Sequence, residues 1–225
     1  PYIARGADGT TVLVDTPRFS IDAARAIESI CGSSTGPNYH LITHVDDSAG
    51  HLEWKERYGD MKRIFHCGDL GKHNWRRDVS LEDVEVLLEE RSRLNDDGAI
   101  TLQAWTLDGK DLTSSALSDS EKQDFPEFVV YHTPGHSPGS ISLLFQQDVL
   151  FTGDTLAYSS REEAMSGFPK YGNDLNQQSQ ILNALVDLPW RVIAPGHGFS
   201  RIYEGRIDVT REKEVGEAAK KLLLY

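Results

Sequence analysis

Phe128 to Asp154 reads FVVYHTPGHSPGSISLLFQQDVLFTGD. A β-branched and aromatic run, FVVYHT, breaks at Pro134-Gly135, and His136 follows at once. SISLLFQQDVLFTGD then reads as two strands joined by a polar turn at Gln146–Asp148, the second ending in Gly153-Asp154. Proline and glycine just ahead of a polar residue permit a tight turn. The polar side chain then points off the strand end instead of into a sheet face. The same design recurs in ITHVDD at 42–47 and APGHG at 194–198.

Working outward, YIAR, GADG and TTVLVD read as a hairpin, and Ser20 as the N-cap of a helix with Ile21, Ala24, Ile27 and Ile30 on one face. YHLIT is a short strand running out at His44. SAGHLEWKERY reads as a helix with Gly59 placed to cap it, and MKRIFH as the next strand. Ser80 with Asp83 resembles a capping box for a helix over LEDVEVLLEERSRL, and ITLQAWTL reads as a strand. Asn176–Leu188 predicts a helix, WRVIA a strand, and Thr210–Leu223 a terminal amphipathic helix. Strands and helices alternate in two similar halves, which predicts an α/β fold of two packed sheets with helices outside. Residues 1–225 read as a single domain, with about 69–125 as an elaboration that lacks a core of its own.

A formal net charge of −12 argues against a nucleic-acid surface, which needs Lys and Arg to offset phosphate, and against anionic membranes. The one basic cluster, KHNWRR at 72–77, reads as a solvated loop or helix start. Two cysteines without close spacing, Cys31 and Cys67, exclude a Cys-rich zinc module and fit a reduced, soluble intracellular protein. No run approaches the ~20 apolar residues of a membrane span, and the opening PYIARGADGTTVLVD reads as strand, not as a signal or transit peptide.

A histidine at a strand end is usually structural when taken singly. Together, His44, Asp46, Asp47, His136, Asp154 and His197 supply imidazoles and carboxylates enough for one metal ion with an open position, or for two. Gly135 to Gly139 also satisfies G-x-S-x-G, but a strand pattern and Pro138 follow Ser137. That is not the strand-to-helix elbow a serine nucleophile needs, and Pro138 has no N–H to offer an oxyanion. His40, His66, His73 and His132 read as structural.

The motifs TPGHSPGS, LFTGD and PGHG, in this order and spacing, resemble those of the metallo-β-lactamase-fold hydrolases. Within that superfamily the chain looks closest to a cyanobacterial and plastid branch whose first motif likewise reads His-x-Asp-Asp. The resemblance implies a four-layer αββα sandwich with a metal site at the sheet edges, and a plastid setting if a transit peptide has been removed. His136, Asp154 and His197 match the later metal ligands. The superfamily's HxHxDH can be laid on residues 42–47 in two ways. Counted without gaps, Ile42 stands for the first His, His44 for the second, and Asp47 for the last. His44, His136 and Asp154 would then hold one ion, and Asp46, Asp47, His197 and Asp154 the other. Anchored on Thr43-His44, His44 is the first ligand and Asp46 replaces the second. His51 reads either as a substitute ligand or as a solvent-facing residue.

The resemblance implies one or two divalent ions, zinc or iron and possibly manganese, the carboxylates favouring the latter two. It implies a small-molecule substrate with an activated carbonyl (thioester, lactone or ester) cleaved by metal-activated water. An iron enzyme using oxygen and a non-catalytic binding descendant are the alternatives. Trp75, Trp105, Arg76 and Arg77 are read as a possible aromatic and cationic wall, and residues 159–173 as a second rim.

Overall fold

The computed structural model describes residues 1–76, 81–96, 98–113, 125–205 and 208–225. Its first sheet runs β1 (Tyr2–Arg5), β2 (Thr11–Val14), β3 (Tyr39–Leu41), β4 (Lys62–His66) and β5 (Val86–Leu88), in that spatial order. β1 and β2 form the expected antiparallel hairpin, and the remaining pairs are parallel. Parallel neighbours need crossovers, which α1 (Ile21–Cys31) and α2 (His51–Arg57) supply. A short ribbon, β6 (Arg93–Leu94) with β7 (Ile100–Thr101), leads to the second sheet. That sheet contains β8 (Ala104–Trp105), β9 (Phe128–His132), β10 (Ile141–Phe145) and β11 (Val149–Gly153). After the small hairpin β12 (Ala157–Ser159) and β13 (Ala164–Ser166), α3 (Leu175–Leu185) crosses to β14 (Val192–Pro195), which is parallel to β11. β15 (Arg201–Ile202) forms the edge, and α4 (Val209–Leu222) closes the described chain.

Alternation along the strands decides the layers. Val12 and Val14 point inward to meet Leu41, Ile64, Val130, Leu143 and Phe151 between the sheets, while Leu13 points outward to Ala24, Ile27, Trp54 and Tyr58 of the first helix pair. On the second sheet Val129, Leu144, Leu150 and Ile193 face out, against Ile181, Leu182, Val215 and Leu222 of α3 and α4. The result is the four-layer α/β sandwich, αββα.

Three sequence expectations are corrected. The helix expected over 81–94 is absent among the described residues, and Val86–Leu88 is a strand instead. Leu81, Val84 and Leu88 fit helical spacing, but Val86 and Leu88 are also the inward positions of an alternating run. Pairing Ile64 with Val86 and His66 with Leu88 buries that run, so tertiary burial decides. Ser80 and Arg77 lie outside the described residues. Gly59 does not cap α2 in the left-handed region; Tyr58 closes the helix through its N–H to the Trp54 carbonyl. Ile21 and Ile30 are exposed, and the buried face of α1 is Ala24, Ile27 and Cys31, capped by Ser20 as expected.

The described part of 69–125 also adds an edge strand to each sheet, β5 and β8, and places Leu88 and Trp105 in the core between them. Trp105 is therefore core and not part of a pocket wall. No helix among the described residues is long and apolar enough to cross a membrane.

Candidate metal centre

The strand ends named above meet along one edge of the sandwich. β3 runs out through Thr43 into His44, which opens a 3-10 turn over Val45–Ser48. β9 ends in the turn bearing His136, β11 in Asp154, and β14 in His197. Sterics explain the glycines. At 153 the backbone is left-handed (φ 50°), and a Cβ would meet Thr43 Oγ1 at 2.5 Å. At 196 a Cβ would lie 2.8 Å from Asp47 Oδ2 and 3.1 Å from Asp154 Oδ1, in the space the carboxylates need.

Asp154 is the hub. Its Oδ2 lies 3.7 Å from His44 Nε2 and 3.7 Å from His136 Nε2, and its Oδ1 is 2.9 Å from His197 Nδ1. The His44 and His136 rings meet edge to face at 4.9 Å. His44, Asp46 and His136 can each turn a ligand atom to within 4.8 Å of the others, and so can His44, Asp47 and Asp154. Asp46 thus sits with His44 and His136, while Asp154 approaches the same two imidazoles, as the gap-free count groups them. His197 joins through Asp154, its side chain 63% exposed. Ile42 faces away, fully buried with Val45, Phe65 and Leu81. His51 does not face solvent and falls in neither of these groups: it is buried, with Arg63 Nη1 3.2 Å from its Nδ1.

The residues fit a cation on grounds internal to the fold. His44 Nε2, which faces Asp46 and Asp154, is buried without a hydrogen-bond partner, an expensive state for a polar atom. Thr43 sets the His44 tautomer. Its hydroxyl donates to Asp15 Oδ1 at 2.7 Å, so Oγ1 accepts from His44 Nδ1 at 3.0 Å. The bare Nε2 is left facing the acidic cluster, as a ligand's supporting hydrogen bond requires.

Crowded carboxylates complete the picture. Burial and then the charge of Asp47 push Asp15 up to about 6, and burial, with Asp154 nearby, raises Asp47. Burial and then His44 pull His136 down to about 4, so it stands as a neutral imidazole. Burial alone would lower His197, but its bond to Asp154 and the surrounding carboxylate charge outweigh that and raise it.

Asp15, Thr43 and Asp69 escaped the sequence reading. Buried Asp69 accepts from Val45 N (3.1 Å), Ser137 Oγ (2.6 Å) and Gly139 N (3.0 Å), tying the His44 turn to the His136 turn. Ser137 thus spends its hydroxyl on structure. Only a polar residue just past strands β2 and β4 could have signalled Asp15 and Asp69. Three of the other histidines serve as supports. His40 Nε2 meets Thr16 Oγ1, and His66 and His132 stack at 4.1 Å with their Nε2 atoms bonded to the Glu90 and Pro138 carbonyls. His73 is exposed. Cys31 and Cys67 are free thiols.

The structure of DIM-1 metallo-beta-lactamase superposes on 97% of this chain and 85% of its own, with TM-score 0.59 at 16% identity. This is the metallo-β-lactamase fold. A metallo-beta-lactamase from Hirschia baltica shares it (TM-score 0.59, 16% identity, covering 96% of this chain and 84% of that one). So does an archaeal metallo-beta-lactamase superfamily protein from Sulfolobus tokodaii (TM-score 0.54, 18% identity, covering 98% and 78%). The family model described as the metallo-beta-lactamase superfamily matches residues 109–197. That span holds three of the four turns described above, those bearing His136, Asp154 and His197. The fourth, at His44, lies outside it.

Proposed function

We propose that the protein is a metal-dependent hydrolase acting on an activated carbonyl: a thioester, lactone or other ester. The observation that carries this reading is the buried, unpartnered His44 Nε2, oriented by Thr43 and placed among Asp46, Asp154 and His136. His44, His136 and Asp46 would hold one ion, with Asp154, Asp47 and His197 beside them for a second. A divalent ion bound there supplies Lewis acidity, bringing the pKa of water to about 7 and polarising a carbonyl oxygen. The chain's own part is positional. Thr43 and Asp15 hold His44 in its tautomer, Asp69 fixes two turns against each other, and Asp46 and Asp47 border a cavity of ≈ 610 Å³ that can admit substrate. In the reaction, water adds across the acyl C–O or C–S bond; the acyl carbon takes the hydroxyl, and the alcohol or thiol leaves with the proton.

Metal analysis of protein purified without added metal is expected to find zinc, iron or manganese. Cleavage of a phenyl ester and a phenyl thioester should be lost on chelation and restored on reloading. A protein that neither retains nor takes up any of the three ions would sink the reading.

A second reading has one specific support. Two histidines and one carboxylate, as in His44, His136 and Asp46, are also the donors of oxygen-using iron(II) centres. Iron content with turnover that consumes oxygen would favour it over hydrolysis.

A further inference from the structure

We infer that the cavity beside Asp46 and Asp47 selects acyl substrates that carry a carboxylate, with Arg18 as its anchor and Trp75 as the platform for the body of the molecule. The inference rests on the hydrolase reading and names the class of substrate it would take.

The metal end of the cavity is acidic, whereas its outer walls carry two guanidinium groups and two aromatic rings: Arg18, Arg76, Phe19 and Trp75. Arg76 is already engaged, its Nη1 and Nη2 3.3 and 3.4 Å from the two oxygens of Glu53. Arg18 is exposed and makes no hydrogen bond or ion pair with any described residue.

Both walls are pinned, so these side chains do not belong to loose loops. On one side Thr16 N donates to the Asp47 carbonyl at 3.2 Å, and Trp54 Nε1 donates to the Pro17 carbonyl at 2.7 Å. The Phe19 ring packs edge-on to Trp54 at 4.9 Å. On the other side buried Asn74 donates to Ser48 Oγ at 2.9 Å and accepts from Arg76 N at 3.0 Å. Ser48 belongs to the same turn as Asp46 and Asp47, so the wall is registered to the metal centre. Trp75 nevertheless stands 78% exposed on this fixed frame. An indole in this place offers its face for stacking on the apolar body of a ligand.

Charge then sets the ligand's direction. Asp46 and Asp47 would be taken up by the ion, which is left to the acyl carbonyl, whereas the planar fork of Arg18 attracts an anionic group and matches a carboxylate. A single uncommitted guanidinium, with Arg76 already spent on Glu53, suits a monoanion better than a dianionic phosphate. The substrate therefore lies with its carboxylate outward at Arg18, its apolar body against Trp75 and Phe19, and its acyl carbonyl toward the metal centre.

Fluorescence tests this without turnover. Trp54, Trp105 and Trp190 are fully buried, so a ligand entering the cavity alters the emission of Trp75, and Trp75→Phe removes the signal. The probes are 3-phenylpropionate and its neutral isostere 3-phenylpropanamide, titrated into the protein as purified. The acid is expected to bind about tenfold more tightly than the amide. Arg18→Gln should erase that preference and Arg18→Lys restore part of it, with metal content and circular dichroism unchanged. Equal binding of acid and amide overturns the inference. So does a preference that survives Arg18→Gln, since the anion is then held elsewhere, for instance by the ion.

Hydrolysis of phenyl butyrate and monophenyl succinate separates the two levels. If both esters are cleaved equally by wild type and Arg18→Gln, the hydrolase reading stands and the selectivity falls. If neither is cleaved while Arg18-dependent binding of the acid persists, the hydrolase reading falls and the carboxylate site remains.

Discussion

The two sheet edges that face the candidate metal centre are built by different means. On the second sheet His136, Asp154 and His197 stand on turns shaped locally by glycines in the left-handed region: Gly135 (φ 134°), Gly153 (φ 50°) and Gly198 (φ 83°). On the first sheet, His44 to Asp47 contain no glycine and are placed from a distance. Asp15 acts through Thr43, and Asp69 holds the N–H of Val45. Ligand positions can thus be encoded in the adjoining turn or in buried carboxylates far along the chain. The second kind transmits changes made elsewhere, and Asp69 carries them to the His136 turn as well, through Ser137 and Gly139.

Asp154 is the point where the two constructions meet, and its loss should have the largest effect. Asp154→Ala removes the group nearest His44, His136 and His197 together. Metal affinity is expected to fall beyond the roughly 10–100-fold that losing a mere outer partner costs. Unchanged metal content by elemental analysis would remove Asp154 from the centre.

Asp69→Ala comes next and breaks the distant construction. Two buried backbone N–H groups and the Ser137 hydroxyl lose their acceptor, and Lys72, 3.2 Å away, loses its partner. Denaturant unfolding should register a loss of about 3 kcal/mol or more, with weakened metal binding at both the His44 and His136 turns. A neutral variant would mean that the glycine turns suffice by themselves.

Thr43→Val is narrower. It keeps the side chain's shape and frees His44 to choose its tautomer, so metal affinity should drop roughly 10–100-fold with little change in the second-sheet turns. Equal affinity in the two proteins would show that His44 needs no such guide.

Acid provides the mildest comparison, because both sheets hold buried neutral histidines. Burial first, and then a neighbouring imidazole, brings both His40 and His132 down to about 3. In the unfolded chain each takes a proton near about pH 6.5. Between these values the unfolded state binds more protons, so stability is full above the unfolded pKa and declines as pH falls towards the folded one. The urea midpoint should slide downward from about pH 6.5 towards pH 4. A midpoint flat over that range would mean that neither imidazole is buried uncharged.

The same contrast explains what could be read from sequence. The second-sheet turns were legible because Pro-Gly and Gly-Asp are local signals, and the layers because Val12, Leu13 and Val14 alternate between two cores. Val86–Leu88 was not legible, because helical and alternating spacings share Val84 and Leu88, and only its pairing with β4 decides between them. Asp15 and Asp69 were hidden for the same reason: their acceptor roles join residues 28 and 68 positions apart. At residues 42–47 the candidate side chains were visible, but their grouping was not. Which imidazole Asp46 accompanies depends on where β9 ends, and nothing near residue 46 encodes that.

The Thr43 carbonyl, which accepts from Ile141 N at 2.8 Å, already stitches the two sheets together at this edge. An ion gripped by side chains from both sheets would be a second stitch, one whose tightness follows the surrounding ion concentration. By mass action it adds about 2.7 kcal/mol to stability when free ion stands at roughly one hundred times Kd, and nothing when ion is scarce. The sandwich would then be a gauge, its melting temperature tracking how much metal its surroundings supply.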